Sequence, residues 1–149
     1  MVEQTSKELA MVYIGSDHAG FSLKGEVLLH YHDMIDVGTH SEESCDYPEY
    51  AKLVCENVAQ NEHSFGILMC GSGAGMCIAA NKYKGIRAVN CWTPVIAKLA
   101  REHNDANVLC LPARFITIEL AHEIIPTFLH TEFSRNQRHN RRLQQLNIL

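Results

Sequence analysis

Residues 65–75 read Phe65-Gly66-Ile67-Leu68-Met69-Cys70-Gly71-Ser72-Gly73-Ala74-Gly75. The first six form a short apolar run without alternation, the pattern of a strand covered on both faces, and such strands belong to parallel sheets packed between helices. Three glycines then let the backbone turn sharply and approach a ligand closely, before a helical stretch at 74–83. A buried strand that runs through a glycine-rich turn into a helix exposes peptide N–H groups, a ready anion site. The spacing is GxGxG rather than the GxGxxG of dinucleotide-binding loops, and no Gly-Lys-Ser/Thr closes it as in a P-loop. A plain tight turn is the alternative.

Outward from this stretch the same alternation repeats. Strands are expected at 11–16, 34–37, 65–70, 86–90 and 107–111, and helices at 19–31, 48–60, 74–83, 93–103 and 117–130, with a polar, Arg-rich helix at about 136–147. Pro48 and Pro94 suit first helical turns, Gly85 suits a helix exit, and Pro126 predicts a kink or break in the fifth helix. Five strands alternating with helices predict an α/β fold: a three-layer α/β/α sandwich around a Rossmann-like, five-stranded parallel sheet, with the Arg-rich helix at the C-terminus. Ligands of open parallel sheets bind beyond the carboxyl ends of the strands. The loops to inspect are therefore Ser16-Asp17-His18-Ala19-Gly20, Gly38-Thr39-His40, Cys70 to Gly75, and His103-Asn104-Asp105, which leads into the fifth strand.

A chain of 149 residues, 46% apolar and 20% charged, fits one domain spanning 1–149 and leaves no case for a fibrous or disordered protein. No apolar run approaches the ~18–20 residues that cross a bilayer, and the start is polar, not a signal peptide, so a soluble, cytoplasmic protein without membrane partners is expected. Six cysteines without a CxxC pair suit a reducing compartment, with all but Cys70 acting as buried small hydrophobes. No Cys/His spacing of the zinc type occurs, and His30 and His32 diverge on a helix, so no metal is expected. The net charge of −4 is unevenly spread: residues 1–63 hold twelve acidic and three basic side chains, residues 64–149 five acidic and ten basic. One short basic patch on an acidic chain argues against nucleic acid as a partner.

Several side chains in these loops suit chemistry. Cys70 ends a strand against a helix start, where a thiol ionises more readily and can accept a proton; an inert buried Cys is the alternative. Asp17 and His18 offer a carboxylate and a titratable ring side by side, or else a helix cap beside a surface His. His103 ends a helix, where an imidazole also makes a merely favourable dipole contact. Arg138 and Arg142, spaced i, i+4, share a helix face and can clamp a phosphate, or form part of a solvated basic face. Arg114 adds a cation after the fifth strand. A non-catalytic nucleotide- or phosphate-binding module and a thiol redox protein built on Cys70 are the rival classes; the first lacks an acidic ribose ligand and the second a resolving Cys.

Taken together, Asp17-His18-Ala-Gly-Phe with Lys24, Gly38-Thr39, Asp46-Tyr47-Pro48, Cys70 to Gly75, Ala79-Ala-Asn-Lys82, Gly85-Ile-Arg-Ala88 and His103-Asn-Asp-Ala-Asn107 resemble the type B ribose-5-phosphate isomerases. The blocks keep that family's order over about residues 11–143. The related galactose-6-phosphate isomerase subunits share the scaffold, so a hexose 6-phosphate such as allose or galactose 6-phosphate is the alternative substrate. The segment from Lys24 to Asp36 is about four residues shorter than in typical members.

The resemblance implies cofactor-free aldose–ketose isomerisation of ribose 5-phosphate and ribulose 5-phosphate through a cis-enediolate, in the non-oxidative pentose phosphate pathway. It implies Cys70 as the base; some relatives use a Glu after the last loop glycine, where this chain has Met76. It further implies His103 in ring opening, Asp17 at the sugar hydroxyls, Ser72 beside the reacting oxygens, and Gly71, Gly73, Ala74 and Gly75 in an anion hole. His18, Arg114, Arg138 and Arg142 correspond to phosphate contacts, and Tyr47 and Asn104 to other substrate contacts. The phosphorylated pentose is thus the expected partner, along with a second copy of the chain. The family's members are homodimers or dimers of dimers with shared sites.

Overall fold

Five short strands stack side by side in the computed structural model, which describes residues 10–149, and the central three are almost wholly buried. The reading of a polar, non-signal start rests mostly on residues 1–9, which lie outside the described residues. The strands are β1 (Val12–Ser16), β2 (Ile35–Asp36), β3 (Phe65–Cys70), β4 (Ala88–Asn90) and β5 (Val108–Pro112). All pair in parallel in the order β2-β1-β3-β5-β4. Between and after them come α1 (Phe21–His30), α2 (Tyr47–Gln60), α3 (Ala74–Ala80), α4 (Pro94–Asn104), α5 (Ile118–His130) and α6 (Gln137–Leu146).

Right-handed crossovers place α1, α4 and α5 on one face of the sheet and α2 and α3 on the other, giving the expected three layers. One face buries Ile14, Ile67, Met69, Leu109 and Leu111 against Leu23, Val27, Ala97, Ile124, Ile125 and Phe128. The other buries Tyr13, Leu68, Cys70, Val108 and Cys110 against Ala51, Val54, Cys55, Met76 and Ala80. Gly66 lets α2 approach closely, since a Cβ there would lie 2.6 Å from Val54. Among the described residues no helix is long and apolar enough to cross a membrane.

Three expectations are corrected. The helix expected at 74–83 ends at Ala80, because the Asn81 side chain pairs with the Ala88 backbone, donating to its carbonyl and accepting from its N–H, both at 2.9 Å. That pairing turns the chain toward β4, and Gly85 lies beyond it with φ +81°. Helix α5 continues through Pro126, so the break, though not the kink, is ruled out; the missing N–H costs one bond, but Ala121, Ile124, Ile125 and Phe128 anchor the turns on both sides in the core. Of the cysteines, Cys70 is itself buried at 5% exposure, whereas Cys45 and Cys77 are only partly buried.

Candidate active site

Because β1 and β3 are neighbours, their carboxyl ends bring Asp17-His18 beside Cys70-Gly71. The backbone continues the pairing one step past the strand: Asp17 N–H donates to the Met69 carbonyl at 3.2 Å. Asp17 is buried, and its Oδ1 accepts from the N–H groups of Ala19 and Gly20 at 2.9 and 3.1 Å, so it caps the turn into α1 while Oδ2 has no hydrogen-bond partner among the described residues. His18 Nδ1 accepts from the Cys45 N–H at 3.2 Å. That bond leaves Nε2 to carry the ring hydrogen of the neutral form, as a donor.

The loop after Cys70 is held from one side. The Cys70 carbonyl accepts from Ala113 N–H at 2.9 Å, the Gly71 carbonyl from Arg114 N–H at 3.0 Å, and the Ser72 carbonyl from Asn90 Nδ2 at 3.1 Å. In a trans peptide the N–H points opposite to the C=O. The N–H groups of Gly71, Ser72 and Gly73 are therefore turned away from β5 and β4, toward the side on which β1 ends. Among the described residues nothing accepts from any of the three. Gly73, at φ +76°, has its Cα against Asn90 Oδ1 and the Leu111 backbone, a position that excludes any side chain. Ser72 Oγ accepts from Ala74 N–H at 3.2 Å, which leaves its own O–H free to donate. The Tyr47 ring lies across Gly75, 2.7 Å from where a Cβ would stand, and the Arg114 guanidinium lies against Gly71 at 3.2 Å on the same measure. Met76 is fully buried in the core, so the position after the last loop glycine faces no solvent.

His103 and Asn104 do not join this group. They precede β5 rather than follow a strand, so they lie at the amino edge of the sheet, corrected from the carboxyl-edge set of loops. The eleven residues of α4 separate them from the β4 end by about 16 Å. Around His103 gather the residues of α6: the His103 and His139 rings lie 4.4 Å apart, Arg138 Nε reaches His139 Nε2 at 3.4 Å, and Ser134 Oγ meets His139 Nδ1 at 2.7 Å. Arg138 and Arg142 are exposed there. The candidate residues thus form two clusters: Asp17, His18, Tyr47, residues 70–75 and Arg114 at the carboxyl edge, and His103, Asn104, Arg138 and Arg142 at the amino edge. Two cavities in the surface, of about 290 and 1060 Å³, include neither Cys70 nor Ser72 nor Arg114 in their walls.

The match to known proteins decides the family. The family described as Ribose/Galactose Isomerase matches residues 12–146. The chain belongs to that family. Its relatives include ribose-5-phosphate isomerase B of Escherichia coli, 43% identical over an alignment of 142 residues that covers 93% of this chain and 95% of that one. The ribose 5-phosphate isomerase of Thermotoga maritima superposes with a TM-score of 0.89 at 49% identity, covering 95% of this chain and all of that one. The isomerase B of Mycoplasma genitalium, solved with bound ribulose 5-phosphate, gives a TM-score of 0.90 at 37% identity over 95% of this chain and 97% of that one.

Two features of this member lay outside the sequence reading. Asn90 braces the glycine loop through Ser72, a role that only its place at the end of β4 reveals. Cys77 has its pKa lowered to about 7, because the Cys110 thiol donates to it and the Asn90 N–H adds a weaker bond, together outweighing the cost of burial. Burial pushes Cys55 and Cys91 up to about 12. Among the described residues no three His, Cys, Asp or Glu side chains converge to hold a metal ion.

Proposed function

We propose that the chain is a single-domain, cytoplasmic isomerase of ribose 5-phosphate and ribulose 5-phosphate, working in the non-oxidative pentose phosphate pathway. The observation that carries this reading is Cys70 at the end of β3, followed directly by three peptide N–H groups that have no partner among the described residues. A hydrogen next to a sugar carbonyl is weakly acidic, so its removal needs a placed base and a stabilised oxyanion. Cys70 carries the proton between C2 and C1, and the N–H groups of Gly71, Ser72 and Gly73 hold the oxygen that becomes negative in the enediolate. One such donor is worth about 3 kcal/mol, roughly two orders of magnitude in rate. The free hydroxyl of Ser72 serves the reacting oxygens, the remaining Asp17 oxygen a sugar hydroxyl, and Tyr47 the sugar.

His18, donating from Nε2, and Arg114 grip the phosphate, whose binding orients carbons it does not touch. His103 for ring opening, Asn104, Arg138 and Arg142 come from a second copy. The support lies along α4, which exposes Val95, Ile96 and Leu99 between the two clusters, with Trp92 and Phe115 stacked at 5.3 Å at its carboxyl-edge end. Phe115 is 62% exposed and Val95 65%. A two-fold contact along this face runs the two α4 helices antiparallel and so sets the amino edge of one copy against the carboxyl edge of the other. Six free thiols suit the reducing cytoplasm.

The test is a coupled assay for ribulose 5-phosphate formation from ribose 5-phosphate, run with EDTA and without NAD, beside allose 6-phosphate and galactose 6-phosphate. Turnover of the pentose above both hexoses is expected. No turnover of any of the three overturns the assignment, and preference for a hexose moves the substrate within the family.

A further inference from the structure

We propose that Lys24 is a positioning residue of this site, fixing the end of β1 and with it the placement of Asp17 and His18; the inference rests on the roles just given to those two residues. Lys24 is only 1% exposed. Its ammonium donates to Asp36 Oδ1 at 2.6 Å and to the Thr39 carbonyl at 2.5 Å, and lies 5.8 Å from the centre of the Phe21 ring. Burying a charged pair seldom stabilises a fold more than apolar side chains of the same volume would. Its return here is geometric.

Thr39 is the hinge of that geometry. It is buried, and its N–H donates to the Ser16 carbonyl at 2.8 Å, while Ser16 N–H donates to the Gly38 carbonyl at 2.8 Å. Ser16 is the last residue of β1, and Asp17 follows it. Asp36 closes the other side of the turn by accepting from Gly38 N–H at 2.9 Å with the same oxygen that holds Lys24. A second route returns through α1: Lys24 N–H donates to the Gly20 carbonyl at 2.9 Å, and Gly20 N–H to Asp17 Oδ1 at 3.1 Å. The bonds form a ring, from Asp17 through Gly20, Lys24, Thr39 and Ser16 back to Asp17. Beyond Thr39 the chain arches to Cys45, whose N–H meets His18. Lys24 touches no reacting group and acts through all of these.

Lys24→Met keeps the length and apolar stem and removes the donors. The expected result is amide exchange faster by about tenfold or more at Ser16, Asp17 and Thr39, with Ile67 to Met69 as protected as in the unaltered protein. Steady-state kinetics should show KM for ribose 5-phosphate raised about tenfold alongside a fall in kcat, since misplacement of about 1 Å can cost two orders of magnitude. A purely structural role would lower kcat through the active fraction and leave KM alone. Exchange and KM both within twofold of the unaltered protein, local loosening without a kinetic change, or loosening that extends through β3 each overturn the proposal. If Lys24→Met fails to fold, Asp36→Asn, which keeps the volume, is expected to give the same local pattern at about threefold, and its absence there overturns the proposal equally. If the unaltered chain isomerises no sugar phosphate, the functional reading falls while the exchange measurement still decides whether Lys24 sets the end of β1.

Discussion

The rings of His103 and His139 lie 4.4 Å apart, joining the last turn of α4 to the first turn of α6. His139 is buried, and desolvation followed by the charges of His103, Arg138 and Arg142 holds its pKa below the ordinary histidine value, against a smaller opposing pull from Glu102.

The pH dependence follows from that direction. Between the lowered folded value and about 6.5 the unfolded chain binds the proton that the folded chain refuses, so this contribution is complete above about 6.5 and is lost as pH falls through the folded value. Melting temperature measured from pH 7.5 down to 5 should decline, and His139→Gln should flatten the decline. An unchanged slope in that variant would remove His139 as its source.

Cys70→Ala should reduce kcat by about 10²- to 10⁴-fold while leaving the melting temperature and sugar-phosphate binding nearly intact, because the side chain is small and makes no side-chain hydrogen bond among the described residues. Near-normal turnover would hand the proton to another group.

His103→Asn should lose more activity on the cyclic sugar than on an open-chain analogue. Mixed with Cys70→Ala, it should regain activity. Each mixed pair then holds one site with both residues intact, and random pairing of equal amounts gives about a quarter of the unaltered rate. No recovery on mixing, with exchange of subunits verified, would place His103 and Cys70 on the same chain's site.

Val95→Glu puts a charge into the exposed apolar face of α4. It should convert pairs to single chains in light scattering and make specific activity fall on dilution. A variant that stays paired and active at nanomolar concentration would move the contact elsewhere.

The sheet was legible because 65–70 and 108–111 are continuous apolar runs, and the carboxyl-edge loops because their glycines, Asp17 and His18 follow such runs directly. The position of His103 and Asn104 was legible in principle, since they end a helix that returns to the amino edge, but a rule that looks beyond strand ends pulls attention from that side. Asn81 gave no sign, because its side chain imitates a strand neighbour only once Ala88 is beside it. Nor did Lys24: its burial depends on Asp36 and Thr39, brought to it by a short β2.

In the shared-site pair proposed above, the separation of Cys70 from His103 along α4 would also shape how damage spreads in a mixed population. There a subunit lacking one of them would spoil a single site of the pair it joins and leave the other working. A subunit lacking both would spoil its own site and its neighbour's as well, so the doubly altered chain would act as a poison: a cell making it beside the normal protein would lose activity in every mixed pair.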